Sequence, residues 1–263
     1  MPELAEVEYY RTQWNDGIGK TVQYVNVHSG LRLFRDSCDT TIQYHLAGRR
    51  FISSQASGKQ MLFRFSGGFW LGIHLGMSGQ LYTSGDGFYP GLHDHLVIGM
   101  SKIYLNFHDP RRFGRIRAQL SQNEPAWWHN RPRDLLSKEF THDSLRHFLM
   151  VHSRSSLKVL LLRQDFFPGI GNWMADEICW RARLHPALSG KLSAEHAKLL
   201  WRTVRAVCRD ALRVIGTNWK TPPDHWLFNR RWKNGGKCPR CETGLRREAL
   251  AGRTTCWCPT CQM

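Results

Sequence analysis

The sequence predicts an α+β protein of several domains. Three observations carry that prediction: a β-rich first half, helical patterning from about residue 140, and a C-terminus with paired cysteines. Between Thr21 and about Ala118, short runs rich in β-branched and aromatic residues alternate with Gly, Ser and Asp. Val22 to Val27, Met61 to Phe65, Phe69 to Leu75, Leu96 to Met100 and Ile103 to Phe107 are such runs, and their spacing predicts a sandwich or barrel. Helical patterns then begin at Thr141, at Ser153 or Ser155, and at Ser193, each a suitable N-cap. The polar, proline-bounded stretch from Glu124 to Pro132 separates the two regimes and puts a boundary near residue 130.

The 263 residues allow one to three domains, and a hydrophobic content of 41% is enough for packed cores. No run approaches the roughly 18 apolar residues of a membrane span, and the N-terminus lacks a basic region followed by an apolar core. Cytoplasm is the expected compartment. A formal charge of +16 creates a field that attracts polyanions. Basic residues recur beside aromatics, as from Trp226 to Lys233, which favours nucleic acid over lipid.

The first element begins Met1-Pro2-Glu3-Leu4-Ala5-Glu6. Removal of Met1 leaves a proline secondary amine; a terminal amine titrates near ~8, so part of it is neutral at physiological pH and can form a Schiff base. Leu4, Val7 and Trp14 keep helical spacing, and Glu3 and Glu6 share a face beside the amine, where they can move protons. The same residues also suit a plain helix start, with acids complementing the dipole.

Further along, Lys59 in Ser57-Gly58-Lys59-Gln60 sits in a turn from which it could reach a phosphate. Gly76-Met77-Ser78-Gly79 and Asp109-Pro110-Arg111-Arg112-Phe113-Gly114 end predicted strands. On such tips an apolar wedge and a flat guanidinium can fill the gap left by an extruded base, although core burial of Met77 and Phe113 is the ordinary alternative. Pro168-Gly169-Ile170-Gly171-Asn172 is a tight turn feeding a helix, whose free N–H groups and Asn172 amide suit phosphate; the alternative is a simple helix-joining turn. Asn218 to Gly236 is rich in turn formers, Trp and basic residues and reads as a loop or lid.

The strongest local signal closes the chain. Cys238 and Cys241, then 16 intervening residues, then Cys258 and Cys261 form two CxxC knuckles that fit one structural Zn²⁺. The segment has too few apolar residues to fold without such a staple, and four thiolates leave the ion no open position for catalysis. Cys256, two residues before Cys258, lacks the CxxC spacing, and Cys38, Cys179 and Cys208 read as buried small side chains. Residues 224–263 carry eight Arg or Lys against three Asp or Glu, so the finger is expected to face phosphate.

Together, MPELAEVE, Lys59, HLGMSG at residues 74 to 79, DPRRFG, GIGNWMADEI and the cysteine pairs resemble, in order and over almost the whole chain, the formamidopyrimidine-DNA glycosylase and endonuclease VIII family of base-excision repair enzymes. The resemblance implies an N-terminal β-sandwich with a leading catalytic helix (1–130), a helix-two-turn-helix domain (131–223) and a C-terminal zinc β-hairpin finger (224–263), with DNA in the cleft between them. It makes Pro2 the nucleophile on the sugar C1′ of the damaged nucleotide, with β- and δ-elimination to follow. Glu3 becomes the proton donor and acceptor, Glu6 a support for that helix end, and Lys59 a phosphate ligand that assists elimination. Met77, Arg111 and Phe113 match the residues that fill the vacated stack. His74, within HLGMSG, Asn172, Arg253 and Lys158 match DNA contacts, Lys158 as a lysine near the active site. The implied partner is damaged double-stranded DNA, and a monomer is the default expectation.

Departures from the family pattern bear on details. Ala5 replaces the usual Pro, which should loosen the start of the helix; Arg163 precedes Gln164 where an acid is common; and Gly216 to Lys237 does not look like the lid that grips 8-oxoguanine. Leu4 and the Met77, Arg111, Phe113 set favour oxidised purines, including formamidopyrimidines, whereas WCPTCQ at 257 to 262 also suits oxidised pyrimidines. Two other classes fit parts of the sequence: a non-catalytic reader of damaged DNA, against which the intact Pro2, Glu3, Glu6 and Lys59 argue, and a zinc-ribbon RNA-binding or translation-associated module, for which the sequence has no upstream RNA-recognition signature.

Overall fold

The computed structural model describes residues 1–28, 32–34 and 39–262. The chain divides into two units, one formed by Met1–Pro2 and Glu6–Arg131, the other by Glu3–Ala5 and Pro132–Met263.

The first unit is a β-sandwich. After helix α1 (Leu4–Thr12), strands β1 (Val22–Val27), β2 (Phe51–Ser57), β3 (Gln60–Phe65), β4 (Phe69–His74), β5 (Gln80–Ser84), β6 (Asp94–Met100), β7 (Ile103–His108) and β8 (Arg115–Leu120) form two antiparallel four-stranded sheets, ordered β1-β6-β7-β5 and β2-β3-β4-β8. Helix α2 (Asp39–Leu46) follows β1, and the short α3 (Ala126–His129) follows β8. Alternate residues of both sheets meet in one core: Val25, Ile98 and Leu105 from the first, Phe63, Leu71 and Ile116 from the second. That period of two is what a pleated strand imposes. Val7 and Trp14 enter the same core from α1 and the turn after it, and Trp14 donates its indole N–H to the Asn106 carbonyl at 3.2 Å. The five apolar runs recognised in the sequence are β1, β3, β4, β6 and β7; the other strands are richer in polar residues on their outward faces.

The second unit is helical with a β-hairpin at its end. Helix α4 (His142–Val151) starts with a capping box between Thr141 and Ser144, as the Thr141 N-cap expectation required. Helix α5 (Leu157–Leu161) starts after Ser156, whose side chain makes no capping hydrogen bond, rather than at Ser153 or Ser155, and α6 (Asn172–Arg181) follows the Gly171 turn. Helix α7 (Ala194–Ala211) is capped by Ser193. The hairpin pairs β9 (Arg246–Leu250) with β10 (Arg253–Trp257). Phe167, Ile170, Met174, Ile178, Leu200 and Val204 centre a core that also takes in Ala5.

Asp176, fully buried on α6, joins the parts of this unit. Lys158 of α5 and Arg231 of the loop before the hairpin both pair with it, and the Cys256 N–H of β10 donates to it at 3.2 Å. Glu177 beside it accepts from Arg181 at 2.8 Å and from the Phe228 N–H at 3.0 Å; burial nonetheless pushes its carboxyl up. The stretch from Asn218 to Gly236 is thus tied down, through Phe228 and Arg231, rather than free. No helix among the described residues is long and apolar enough to cross a membrane.

Removing one member of a buried charge network strands the rest without a counter-charge. Asp176→Ala should therefore cost about 3–5 kcal/mol of stability. Urea denaturation checks this, and an unshifted transition would contradict it.

Candidate active site and nucleic-acid interface

In the sandwich unit, the expected residues gather on loops at strand ends. The β2–β3 hairpin turns through Gly58 and Lys59. Only Gly58 has positive φ (+59°), the type II′ pattern, which carries Lys59 out on the tip. Its ammonium lies 3.9 Å from the Met1 sulfur, beside Pro2 in sequence. Glu6 is half-buried on α1, and its charge adds to the burial that raises the Tyr10 hydroxyl pKa.

Met77, Arg111 and Phe113 are all exposed, and the Arg111 guanidinium lies 5.1 Å from the centre of the Phe113 ring. Asp109 explains how two separate loops present them together. It is fully buried and accepts the Ser78 hydroxyl at 2.6 Å and the Gly114 N–H at 2.7 Å, so one carboxylate ties the HLGMSG turn to the DPRRFG loop. His74 ends β4, and its Nδ1 accepts the Gly76 N–H at 3.0 Å, which leaves the proton on Nε2. Burial first, then Lys59, Arg115 and Arg117, lowers its pKa to about 4. It is a neutral donor at physiological pH.

In the helical unit, Glu3 is 4% exposed. Its carboxylate accepts the N–H groups of Gly171 at 2.9 Å, Trp173 at 2.9 Å and Met174 at 3.1 Å, at the start of α6. The Leu4 N–H donates to the Gly169 carbonyl at 3.0 Å. This corrects the reading of the glycine turn as a phosphate cradle, because those N–H groups are occupied by a carboxylate of the chain itself. Gly171 must lack a side chain: a Cβ there would fall on the Glu3 carboxyl group. Leu4 through its N–H and Ala5 through its burial anchor the helix start that the missing proline was expected to loosen.

Gln164 braces the turn from below, accepting the Gly169 N–H at 3.2 Å and donating to the Ile170 carbonyl at 2.7 Å. Arg163 pairs with Asp165 and lies over the Phe148 ring. Asn172 donates its amide to the Thr254 carbonyl at 2.9 Å, which brings it next to Arg253, exposed at the start of β10. Lys158 differs from its expectation as a DNA contact: it is fully buried, and its ammonium is held by Asp176 and the Asn172 carbonyl. It has no surface to offer a partner.

The thiols of Cys238, Cys241, Cys258 and Cys261 lie within 4.8 Å of one another. Pairs at 3.4, 3.5 and 3.9 Å match the ~3.8 Å edge of a tetrahedron with Zn–S bonds of ~2.3 Å. The Trp180 indole N–H and the Arg240 N–H point at the Cys238 sulfur, at 3.3 and 3.4 Å, as donors to a thiolate ligand do. Cys256 stands outside the cluster, its thiol pushed up to about 11 by burial. Cys179 and Cys208 are buried, as expected; Cys38 lies outside the described residues.

Sequence reasoning missed Asp109, Gln164, Asp176 and Arg231. An acid within an apolar helix start, as in WMADEI, was a visible signal for Asp176; Gln164 had none.

Comparison with known proteins gives three matches in chain order. They are the formamidopyrimidine-DNA glycosylase N-terminal domain over residues 1–116, the formamidopyrimidine-DNA glycosylase H2TH domain over 132–222, and a zinc finger found in FPG and IleRS over 235–262. The formamidopyrimidine-DNA glycosylase of Carboxydothermus hydrogenoformans is 31% identical, covering 100% of both chains. That of Thermus thermophilus is 33% identical, covering 100% of this chain and 98% of the other. A crystal structure of the Lactococcus lactis protein, in complex with DNA containing an oxidised pyrimidine, has the same fold, with a TM-score of 0.89 at 24% identity over 100% of both chains.

The lowered pKa of His74 has a sign that can be tested. Between about pH 4 and 6.5 the unfolded chain takes up a proton that the native site refuses, so stability from this group falls as pH drops through that window and is steady above it. His74→Gln should flatten that part of a pH–stability curve. An unchanged slope between pH 4 and 6.5 would show that His74 is not held neutral.

Proposed function

The chain belongs to the formamidopyrimidine-DNA glycosylase family, and from that membership we propose that it is a base-excision repair DNA glycosylase and AP lyase. It removes oxidised purines, formamidopyrimidines and 8-oxoguanine among them, from double-stranded DNA. The observation that carries the proposal is the Glu3 carboxylate, buried and bonded to three amides directly after Pro2.

The chemistry requires loss of Met1. The freed Pro2 nitrogen attacks C1′ of the damaged nucleotide, the N–C1′ bond forms as the glycosidic bond breaks, and the base leaves with a proton. Opening of the sugar gives an iminium. Loss of a C2′ proton then expels the 3′ phosphate, and a second elimination expels the 5′ phosphate. Glu3 is the group next to this nitrogen that gives and takes protons, and its amide contacts are pre-organised rather than formed during the reaction. Glu6 supports the same helix end. Lys59, on its hairpin tip, holds a phosphate beside the lesion.

Met77, Arg111 and Phe113 fill the space left by the extruded nucleotide, and the Asp109 tie fixes their spacing in advance. His74, Asn172 and Arg253 bind backbone phosphate. Lys158 acts as a positioning residue through the Asn172 carbonyl. The zinc ion is structural and holds the hairpin that carries Arg253. The domain division at 1–130, 131–223 and 224–263, action as a monomer, and work on DNA in the cytoplasm, where thiolates stay reduced, complete the proposal.

Borohydride trapping on duplexes carrying 8-oxoguanine, a formamidopyrimidine, an oxidised pyrimidine or an abasic site tests the reading. A covalent adduct is expected, strongest with the purine lesions and the abasic site, and reduced at least 100-fold by Pro2→Gly, consistent with ~10²-fold or larger losses on displacing a reacting group. Mass spectrometry of active protein should find Pro2 at the N-terminus. No adduct on any duplex, or active protein bearing only Met1, would overturn it.

A further inference from the structure

The β2-β3-β4-β8 sheet has a second face, turned away from the sandwich core. Cross-strand register puts Gln60, His74 and Arg115 in one row there, Leu62, Gly72 and Arg117 in the next, and Arg64, Trp70 and Gln119 in the third. Helix α3 covers part of this face. Trp128 packs with Leu62 and Trp70, and Trp127 donates its indole N–H to the Gln119 side chain at 3.1 Å.

Gly72 is what lets Trp127 come down onto the sheet, since a Cβ would lie 2.9 Å from Cζ3 of the indole. The Arg117 guanidinium lies 5.7 Å from the centre of that ring. Beyond the indole, toward Phe113, the face opens into a cavity of about 340 Å³ lined by Gln60, His74, Phe113, Arg115, Arg117 and Trp127. Among the described residues, no carboxylate lines it. The volume sits at the lower end of the ~300–1,000 Å³ usual for small-ligand sites, the size of one nucleotide rather than a larger molecule.

We propose that this cavity is a nucleotide subsite, in which Arg115, Arg117 and the His74 Nε2–H hold a DNA phosphate while the attached base lies against Trp127. Two guanidinium groups and a neutral N–H donor offer a phosphate oxygen several donors at once. A fixed indole offers a base a stacking surface without choosing among sequences. The His74 proton is available for this because Nδ1 is already committed to the Gly76 N–H. Gln60 supplies a primary amide at the rim. The subsite continues from Lys59 and Phe113, at the edge of the site proposed above; that the nucleotide comes from the DNA rather than from solution rests on that reading.

The experiment compares the parent chain with Arg115→Gln/Arg117→Gln, measuring duplex affinity as a function of salt. A second variant, Trp127→Phe, keeps a ring over Gly72. If one or two phosphate contacts are lost, the slope of log affinity against log salt should fall by roughly 1 to 2 in the double variant. Trimming the duplex from its ends should abolish the difference once the contacted phosphate is gone. Trp127→Phe should keep the slope and weaken binding only a few-fold.

An unchanged slope, or a difference that persists on the shortest duplexes, would overturn the subsite. Saturable quenching of indole fluorescence by free deoxynucleoside monophosphate, lost in the double variant but with no effect of trimming, would overturn the DNA source. Borohydride trapping by the parent is scored separately. An adduct with an unchanged slope sinks the subsite alone, whereas a reduced slope without any adduct sinks the Pro2 chemistry and leaves the subsite standing.

Discussion

The Glu3 carboxylate, held by three backbone amides at the start of α6, is the contact on which the site depends. A carboxylate at a helix N-terminus meets unsatisfied donors and the positive end of the helix dipole together. Here that common stabilising device sits one residue from Pro2, so under the proposed chemistry it also restrains the reacting amine. Chain ends are ordinarily the loosest part of a domain. A nucleophile at a terminus needs such an anchor, because each lost degree of positioning is lost rate.

The anchor is itself supported. Gln164 closes the turn from which Gly169 bonds Leu4, and Asp176, one turn further along α6, draws Lys158, Arg231 and the Cys256 backbone together. Helix α6 thus carries Glu3 at its first turn and the finger strand on its second. Buried charge is a costly way to gain stability. Its use at Asp176 is better understood as fixing where Asn172 and β10 lie than as strengthening the fold. The zinc site does for the hairpin what a larger core would otherwise do.

Much of this was legible in the sequence. Strands β1, β3, β4, β6 and β7 were visible because apolar residues dominate them, and the cysteine pairs were visible because their spacing has few other uses. β2, β5 and β8 are mostly polar outward, so composition alone hid them. The turn at Pro168 to Asn172 was recognised as a helix start with free donors, which is right in kind, but the acceptor came from 168 residues away along the chain. Long-range pairing of this sort leaves no periodic trace. For the same reason Lys158 read as a ligand for DNA, when a buried aspartate 18 residues on takes its charge. Arg115 and Arg117 were passed over, since alternating cations on a strand look like any solvated face until Trp127 is seen to wall them in.

The central claim, that the Glu3 anchor aims the Pro2 amine, is tested most directly by Gly171→Ala. The added methyl would occupy the place of the Glu3 carboxylate while leaving Pro2 and Lys59 untouched. The rate of imine trapping at an abasic site, measured at saturating protein alongside DNA affinity, should fall roughly 100-fold with affinity changed only a few-fold. A variant that traps at the parent rate would show that Pro2 is positioned by something other than Glu3.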